Sequence, residues 1–111
     1  MAPDTELIPI SRTIGTDQLV DEMLAKFTHT IQMDWILPGI APTGKRVAVA
    51  VVAIVKFRDD KLAHEHIYWD QASVLVQVGL LDPGTLPVVG VESARKAIDP
   101  SLPSNALIDR D

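Results

Sequence analysis

Two histidines, a tyrosine and an aspartate stand close together in one short stretch, which reads KLAHEHIYWD over residues 61–70. Successive side chains of a β-strand point to opposite faces, so His64, His66 and Tyr68 would share one face. Asp70 would extend the row if the strand ran one residue further. Imidazole, phenol and carboxylate groups placed inside a concave sheet can do general acid/base chemistry. This stretch is therefore the candidate site.

Each of these residues also has a purely structural interpretation. Asp70 stands just before a predicted helix and would serve as its N-cap. Imidazole and phenol groups on a strand can be satisfied by cross-strand hydrogen bonds. Trp35 and Trp69 are of a type found more often in a core than in a site. The residues alone leave both interpretations open.

A metal site is the second chemical alternative, because a His-x-His pair on a strand, joined by His29 or Asp70, could offer nitrogen and oxygen ligands. The sequence has no HExxH motif, no cysteine and no third histidine at a recognisable interval. Gly39 and Gly44 are separated by proline and do not precede a helix, so they do not form a phosphate loop. We expect neither a metal nor a cofactor.

Composition limits the class of protein. A chain of 111 residues is the size of a single domain, and its formal charge of −5 with scattered cations makes nucleic acid an improbable partner. The absence of cysteine and of a signal-peptide pattern predicts a cytoplasmic protein. The longest apolar run, residues 47–55, is too short to cross a membrane. Because 47% of the residues are hydrophobic, we expect a homo-oligomer, a dimer or a dimer of dimers.

The clearest element is a strand at Arg46–Arg58, which is continuous in valine, alanine and isoleucine. Asp59 and Asp60 predict a turn, and Lys61–Trp69 would return as the hairpin partner. Glu6–Ile14 is rich in β-branched residues but contains Pro9, which indicates an edge strand or a bulge. Two prolines and two glycines predict a loop over residues 33–45, with Trp35, Ile36 and Leu37 folding back onto the body.

Residues 18–30 are ambiguous, because Leu19, Val20, Met23, Leu24 and Phe27 recur at helical spacing. Local sequence therefore predicts a helix there, and the strand pattern alternates less well. A short helix is expected after Asp70, with Val74, Leu75 and Val78 on one face and Gly79 as its end. One or two helical turns follow at residues 91–98, and residues 100–111 would form an extended C-terminal arm.

Several of these segments together resemble the C-terminal half of SnoaL-like proteins, which belong to the nuclear transport factor 2-like superfamily. The resemblance rests on Gly44-Lys45 before the long strand, on DDKL at residues 59–62, on EHIYWDQ at residues 65–71 and on QVGLL at residues 77–81. It extends back to residues 27–30 and from Trp35 to Pro42. Its best marker is a strand that ends in Trp-Asp before a Gln-x-Gly helix.

The resemblance implies an α+β cone, a curved, mainly antiparallel sheet wrapped around a pocket that N-terminal helices close. It implies that residues 18–30 are a strand, against the helical spacing. Asp70 falls where polyketide cyclases of the family carry an acid/base aspartate, and His66 falls at a pocket-lining position. Members of the family begin with two or three helices, whereas this chain has no room for them ahead of Glu6, so we expect a truncated cone without its usual lid.

Two functions follow as hypotheses. The first is a SnoaL-like domain that binds an apolar, carbonyl-bearing small molecule, with Asp70 as acid/base and His66 as its helper. His64, Tyr68, Trp35 and His29 would then contact the ligand. The alternative is a noncatalytic module whose sheet packs against its own copy. Whether the chain is an enzyme is left open.

Overall fold

Four strands and two short helices make up the fold in the computed structural model, which describes residues 1–102. In chain order they are β1 (Glu6–Ile14), β2 (Gln18–Thr28), β3 (Arg46–Arg58), β4 (Lys61–Trp69), α1 (Gln71–Gln77) and α2 (Glu92–Ile98). Each strand pairs antiparallel with the next, so the sheet is an open meander in the order β1-β2-β3-β4. The expected α+β class is confirmed. Most of the predicted C-terminal arm lies outside the described residues.

The hairpin of β3 and β4 forms where the sequence predicts it. Asp59 and Asp60 have φ angles of 53° and 62°, so both turn residues adopt the left-handed conformation. A two-residue loop of this kind matches the right-handed twist of the flanking strands, and aspartate tolerates the conformation better than most residues. The turn sets the register in which Ile54 lies opposite His66 and Val51 opposite Trp69.

Strand β2 occupies the segment for which local spacing predicts a helix, so the strand that the resemblance implies is confirmed and the helix is wrong. Neighbouring residues Leu24 and Ala25 are both buried, although they point to opposite faces of the sheet. A central strand covered on both sides carries apolar residues at consecutive positions, and here they fall by chance at helical spacing. Pairing with β1 on one side and β3 on the other decides the outcome.

Strand β1 is an edge strand, as Pro9 predicts. Its register with β2 shifts between Pro9 and Ser11, which marks a bulge where the proline cannot donate a backbone hydrogen bond. Beyond the bulge, the Arg12 guanidinium donates to both carboxylate oxygens of Asp21, over 2.6 and 2.8 Å. This bidentate pair gives Asp21 on β2 an oppositely charged partner across the strands.

The sheet has two unlike faces. Directly paired residues of β2, β3 and β4 are both odd-numbered or both even-numbered, in β4 from Glu65 onward. The odd-numbered residues lie on the face that the loop between β2 and β3 covers, which we call the loop face. The even-numbered residues lie on the face toward α2, which we call the α2 face. The buried core lies on the loop face, where the segment between β2 and β3 and helix α1 pack against the sheet. Its members are Ala2, Ala25, Phe27, Met33, Ile36, Leu37, Val47, Val49, Val74 and Val78.

Helix α1 completes β3 at the end that β4 leaves uncovered. Strand β4 stops at Trp69, opposite Val51, so the outer edge of β3 from Arg46 to Ala50 has no strand beside it. The Gln77 amide takes that place: its Oε1 accepts from Ala48 N and its Nε2 donates to Ala48 O, both over 2.9 Å. The Gln77 side chain thus makes the two backbone hydrogen bonds that a neighbouring strand would make, and it holds α1 against the sheet.

Helix α1 begins and ends as its sequence indicates. The Asp70 carboxylate accepts from Ser73 N over 3.3 Å at the N-terminus. Gly79 follows the helix with a φ angle of 83°, a conformation that residues with a Cβ rarely adopt. Neither helix of residues 1–102 has the length and apolar character needed to cross a bilayer.

Candidate functional site

An open groove of about 480 Å³ lies on the loop face, beside the buried core. Its floor is the sheet and one wall is the loop between β2 and β3. Its lining is apolar apart from a single ionisable side chain, Glu65. The lining residues are Met1, Leu7, Met23, Ala25, Trp35, Ile36, Val49, Val51, Ala53, Glu65, Ile67 and Trp69. A volume between about 300 and 1,000 Å³ with few polar groups is typical of a small-molecule site.

Both tryptophans of the chain line this groove. The rings of Trp35 and Trp69 meet edge to face, with centroids 6.0 Å apart and planes at 75°. The Trp69 Nε1 donates to Gln71 Oε1, and Gln71 Nε2 donates to the backbone oxygen of Ile36, each over 2.7 Å. Gln71 therefore ties the end of β4 to the loop, and this contact sets the distance between the floor and the wall of the groove.

Glu65 brings the one carboxylate to the groove. It lies on β4 opposite Val55 and two residues before Ile67, on the same face as both. A carboxylate beside apolar surface can accept a hydrogen bond from a hydroxyl group or take a proton from a carbon next to a carbonyl group. The groove can therefore hold an apolar molecule and present one acid/base group to it.

Asp70 lies outside the groove. Its carboxylate caps α1 through Ser73 and is exposed to solvent. The structural interpretation of Asp70 as an N-cap is confirmed, and its catalytic role stays a prediction. The Trp69, Gln71 and Gln77 side chains of the same marker motif are likewise engaged in holding α1 and the loop.

His64, His66 and Tyr68 do not converge on the groove, which corrects the expectation that this polar row lines a hollow. They are exposed on the α2 face, where the two imidazole rings meet edge to face with centroids 5.4 Å apart. The other row of β4 contains Ile67 and Trp69, whose partners Ala53 and Val51 line the loop face. Apolar pairing across strands decides which row turns inward.

That apolar row is the signal that could have located the groove in the sequence. The pattern Glu65, Ile67, Trp69 alternates with the histidines and carries two large apolar side chains. The polar residues of β4 alone point to the α2 face, whereas the groove lies on the loop face. The roles proposed for His66 as helper and for His64 and Tyr68 as ligand contacts stay predictions that the geometry of one protomer does not support.

The other two predicted ligand contacts have opposite surroundings. Trp35 lines the groove, with 54% of its surface exposed. His29 is fully buried and pins the loop: its Nδ1 accepts from Thr43 N over 3.2 Å, and its backbone bonds to Lys45 O and Gly44 N. Since Nδ1 accepts, the proton lies on Nε2, which has no hydrogen-bond partner among the described residues.

Within residues 1–102, no three histidine, aspartate or glutamate side chains come together in a way that could hold a metal ion. His64 and His66 lie side by side, but no carboxylate or third imidazole completes a ligand set with them there.

No protein-family model and no curated protein sequence matches the chain. Solved structures do match. TsrD from Streptomyces laurentii aligns with a TM-score of 0.64 and 21% identity, over 72% of this chain and 57% of that one. AclR from Streptomyces galilaeus, described as a proposed hydroxylase, aligns with a TM-score of 0.61 and 26% identity, over 73% and 51%.

A third match is IdmH from Streptomyces antibioticus, described as a proposed polyketide cyclase. It aligns with a TM-score of 0.54 and 22% identity, over 70% of this chain and 53% of that one. This chain thus spans little more than half the length of each of these structures. Over that part it shares their fold, an antiparallel sheet that continues into a short helix.

Proposed function

We propose that this chain is a SnoaL-like small-molecule-binding domain whose groove on the loop face takes a flat, apolar, carbonyl-bearing molecule. The observation that carries the proposal is the groove itself. Its walls are apolar side chains that include both tryptophans, and one carboxylate, Glu65, is the sole ionisable side chain in its lining. Such a surface recognises shape and apolar area first and one hydrogen-bonding or acidic position second.

The structural matches support the ligand class. AclR and IdmH are described as a proposed hydroxylase and a proposed polyketide cyclase. Polyketides combine flat, largely apolar carbon skeletons with ketone groups, and the protons on a carbon between two ketones are the ones that a carboxylate removes most readily. The edge-to-face tryptophans offer a planar surface and an edge to such a skeleton.

In this proposal Glu65 replaces Asp70 and His66 as the acid/base group. Glu65 lines the groove, whereas the other two lie outside it. Its carboxylate would accept a proton from the carbon beside a ligand carbonyl, leaving an enolate and a neutral carboxylic acid, and would then protonate the enolate. The acid exchanges its proton with solvent in between, so in deuterated water the returned proton is a deuteron. Binding does not depend on this step, and the two can be tested separately.

The alternative is a noncatalytic module, and one observation favours it. Three large apolar residues of the groove are about half exposed in one protomer: Leu7 at 53%, Trp35 at 54% and Ile67 at 46%. Exposed apolar area of this kind often marks a contact with another subunit. In this case a second copy of the chain would occupy the groove and no ligand would enter.

Tryptophan fluorescence tests the proposal directly, because both tryptophans line the groove. α-Tetralone, a bicyclic aryl ketone, serves as the probe. Saturable quenching of the emission is expected, and Ile67→Lys should abolish it by placing a charge in the apolar floor. Ile14→Lys is the matched control, since Ile14 is also exposed, at 73%, and does not line the groove. Quenching that survives Ile67→Lys would contradict the proposal.

Sedimentation measurements separate the two functions. If a second copy fills the groove, Ile67→Lys converts an oligomer into a monomer and the parent protein gives no saturable quenching. If the groove binds small molecules, α-tetralone binds at one site for each groove and Glu65→Gln retains that binding. Exchange of the ketone's α-protons with deuterated water then reports the acid/base step, and this exchange should fall with Glu65→Gln.

A further inference from the structure

A second cavity lies on the opposite side of the sheet, between α2 and the α2 face. It measures about 680 Å³, and its floor is formed by Leu24 and Ala48 on the strands and by Ala94 and Ile98 on α2. Leu24 and Ala94 are almost completely buried, so the apolar surface open to a ligand comes from neighbouring lining residues such as Ile98, which is 51% exposed, and Leu102, which is 37% exposed. The sheet separates this cavity from the groove of the loop face, and the two share no lining residue.

Three cationic side chains from three different elements also line the cavity: Lys26 on β2, Arg46 on β3 and Arg95 on α2. In the register of β2 and β3, Lys26 lies opposite Ala48 and Arg46 opposite Thr28, so the two cations are diagonal neighbours. Such positions are on the order of 7–8 Å apart, within reach of one group for side chains of this length. Arg95 approaches from the helix above them.

These cations are only partly compensated. Arg46 Nη1 contacts Asp4 Oδ2 over 3.3 Å. Asp99 is the one carboxylate in the lining, and it accepts from Ser101 N and Oγ over 3.1 and 2.6 Å. Three cations against Asp99 in the lining and Asp4 on Arg46 leave one positive charge in excess, in a chain whose formal charge is −5. The cavity therefore gathers cations in a chain that is acidic as a whole.

We propose that this cavity binds an amphipathic organic anion, a molecule with a hydrocarbon body and a carboxylate at one end. The hydrocarbon lies against Ala48, Ile98 and Leu102, above the buried Leu24 and Ala94, and the carboxylate is held by Lys26, Arg46 and Arg95. Arginine presents a planar pair of donors that matches a carboxylate, and lysine adds a point charge. A neutral molecule of the same shape gains only the apolar contact. This site does not depend on the function proposed for the loop face.

Titration of the ¹⁵N-labelled full chain with sodium decanoate, followed by NMR, tests the site. Decanoate should shift the amide signals of Leu24, Ala48 and Ala94, and decanol at the same concentration should bind at least about fivefold more weakly. Arg95→Gln and Lys26→Gln should each weaken decanoate binding by about threefold to fivefold and leave decanol unchanged. Arg58→Gln, at the β3–β4 turn, is the control and should alter neither.

Equal binding of decanoate and decanol would overturn the proposal, as would decanoate binding that Arg95→Gln and Lys26→Gln leave intact. Decanoate shifts confined to Trp35, Ile67 and Trp69 would assign the anion to the loop-face groove and would also overturn it. If the Leu24 and Ala94 signals move with protein concentration and ignore decanoate, a second copy occupies the cavity. Failure here leaves the α-tetralone result unaffected, because the Ile67→Lys test concerns the other face.

Discussion

Replacement of Gln77 by leucine should destabilise the fold more than its partly exposed position suggests. The change removes both hydrogen bonds with the backbone of Ala48, and with them the contacts of Nε2 with Ser73 O and Oγ at 3.2 and 3.1 Å. Leucine has nearly the same volume, so packing changes little. The variant loses the side-chain hydrogen bonds that take the place of a neighbouring strand at the outer edge of β3.

The magnitude follows from the groups left without partners. Ala48 N and Ala48 O are half-buried, and a buried backbone group without a partner costs roughly 1–3 kcal/mol. Water can reach part of this edge, so we take the lower half of that range for each group. With two such groups, the free energy of unfolding should fall by about 2–4 kcal/mol. Gln77→Glu should cost about half as much, about 1–2 kcal/mol, because its carboxylate still accepts from Ala48 N but cannot donate to Ala48 O.

Urea denaturation followed by circular dichroism measures this loss. Gln18→Leu is the matched control, since Gln18 is exposed at the start of β2, and it should change the free energy of unfolding by less than about 0.5 kcal/mol. A Gln77→Leu variant as stable as the Gln18→Leu variant would refute the reasoning. It would mean that water replaces the glutamine amide at Ala48 without cost.

Three further changes test other parts of the fold. Asp70→Ala should lower the free energy of unfolding by about 1 kcal/mol, because it removes the cap of α1. Asp70→Asn should leave that free energy nearly unchanged, because asparagine also caps helices. Loss of function in a stable Asp70→Asn variant would support the catalytic role of Asp70. His29→Ala should cost about 2–4 kcal/mol in urea denaturation, through the cavity and the unpaired Thr43 N–H; an unchanged midpoint would contradict its role as the pin of the loop. Hydrogen bonds from Thr28 hold the pKa of Asp4 below its usual value. The ionised carboxylate therefore stabilises the folded state above about pH 4, and this stabilisation is lost as the pH falls further. The urea midpoint should therefore decline less between about pH 5 and pH 3 in Asp4→Asn than in the parent, and identical declines would count against this contact.

Much of the fold could be predicted from the sequence because local signals agree with the tertiary structure there. The β3–β4 hairpin combines a long valine-alanine run with two aspartates at the turn, and α1 has both its cap and its terminal glycine. Residues 18–28 could not be assigned from local spacing. This strand can carry apolar residues on both faces because α2 covers Leu24 and the loop covers Ala25 and Phe27. The sequence of the segment does not show that both faces are covered.

The site was less predictable than the fold. The stretch of residues 64–70 contains Glu65, Ile67 and Trp69, which line the groove, but its polar row points to the opposite face. The cavity under α2 could not be predicted at all. Lys26, Arg46 and Arg95 are far apart in the sequence, and only the register of β2 with β3 and the packing of α2 bring them together.

Strands β2 and β3 pair over eleven consecutive residues without a bulge. Amide groups in this ladder should exchange with deuterated water more slowly than those of β1, whose pairing is interrupted at Pro9. The groove therefore has a stiff floor, whereas its rim is formed by β1 and a loop that a few hydrogen bonds hold in place. Ligands of different width could be accommodated by movement of this rim, with the shape of the base unchanged.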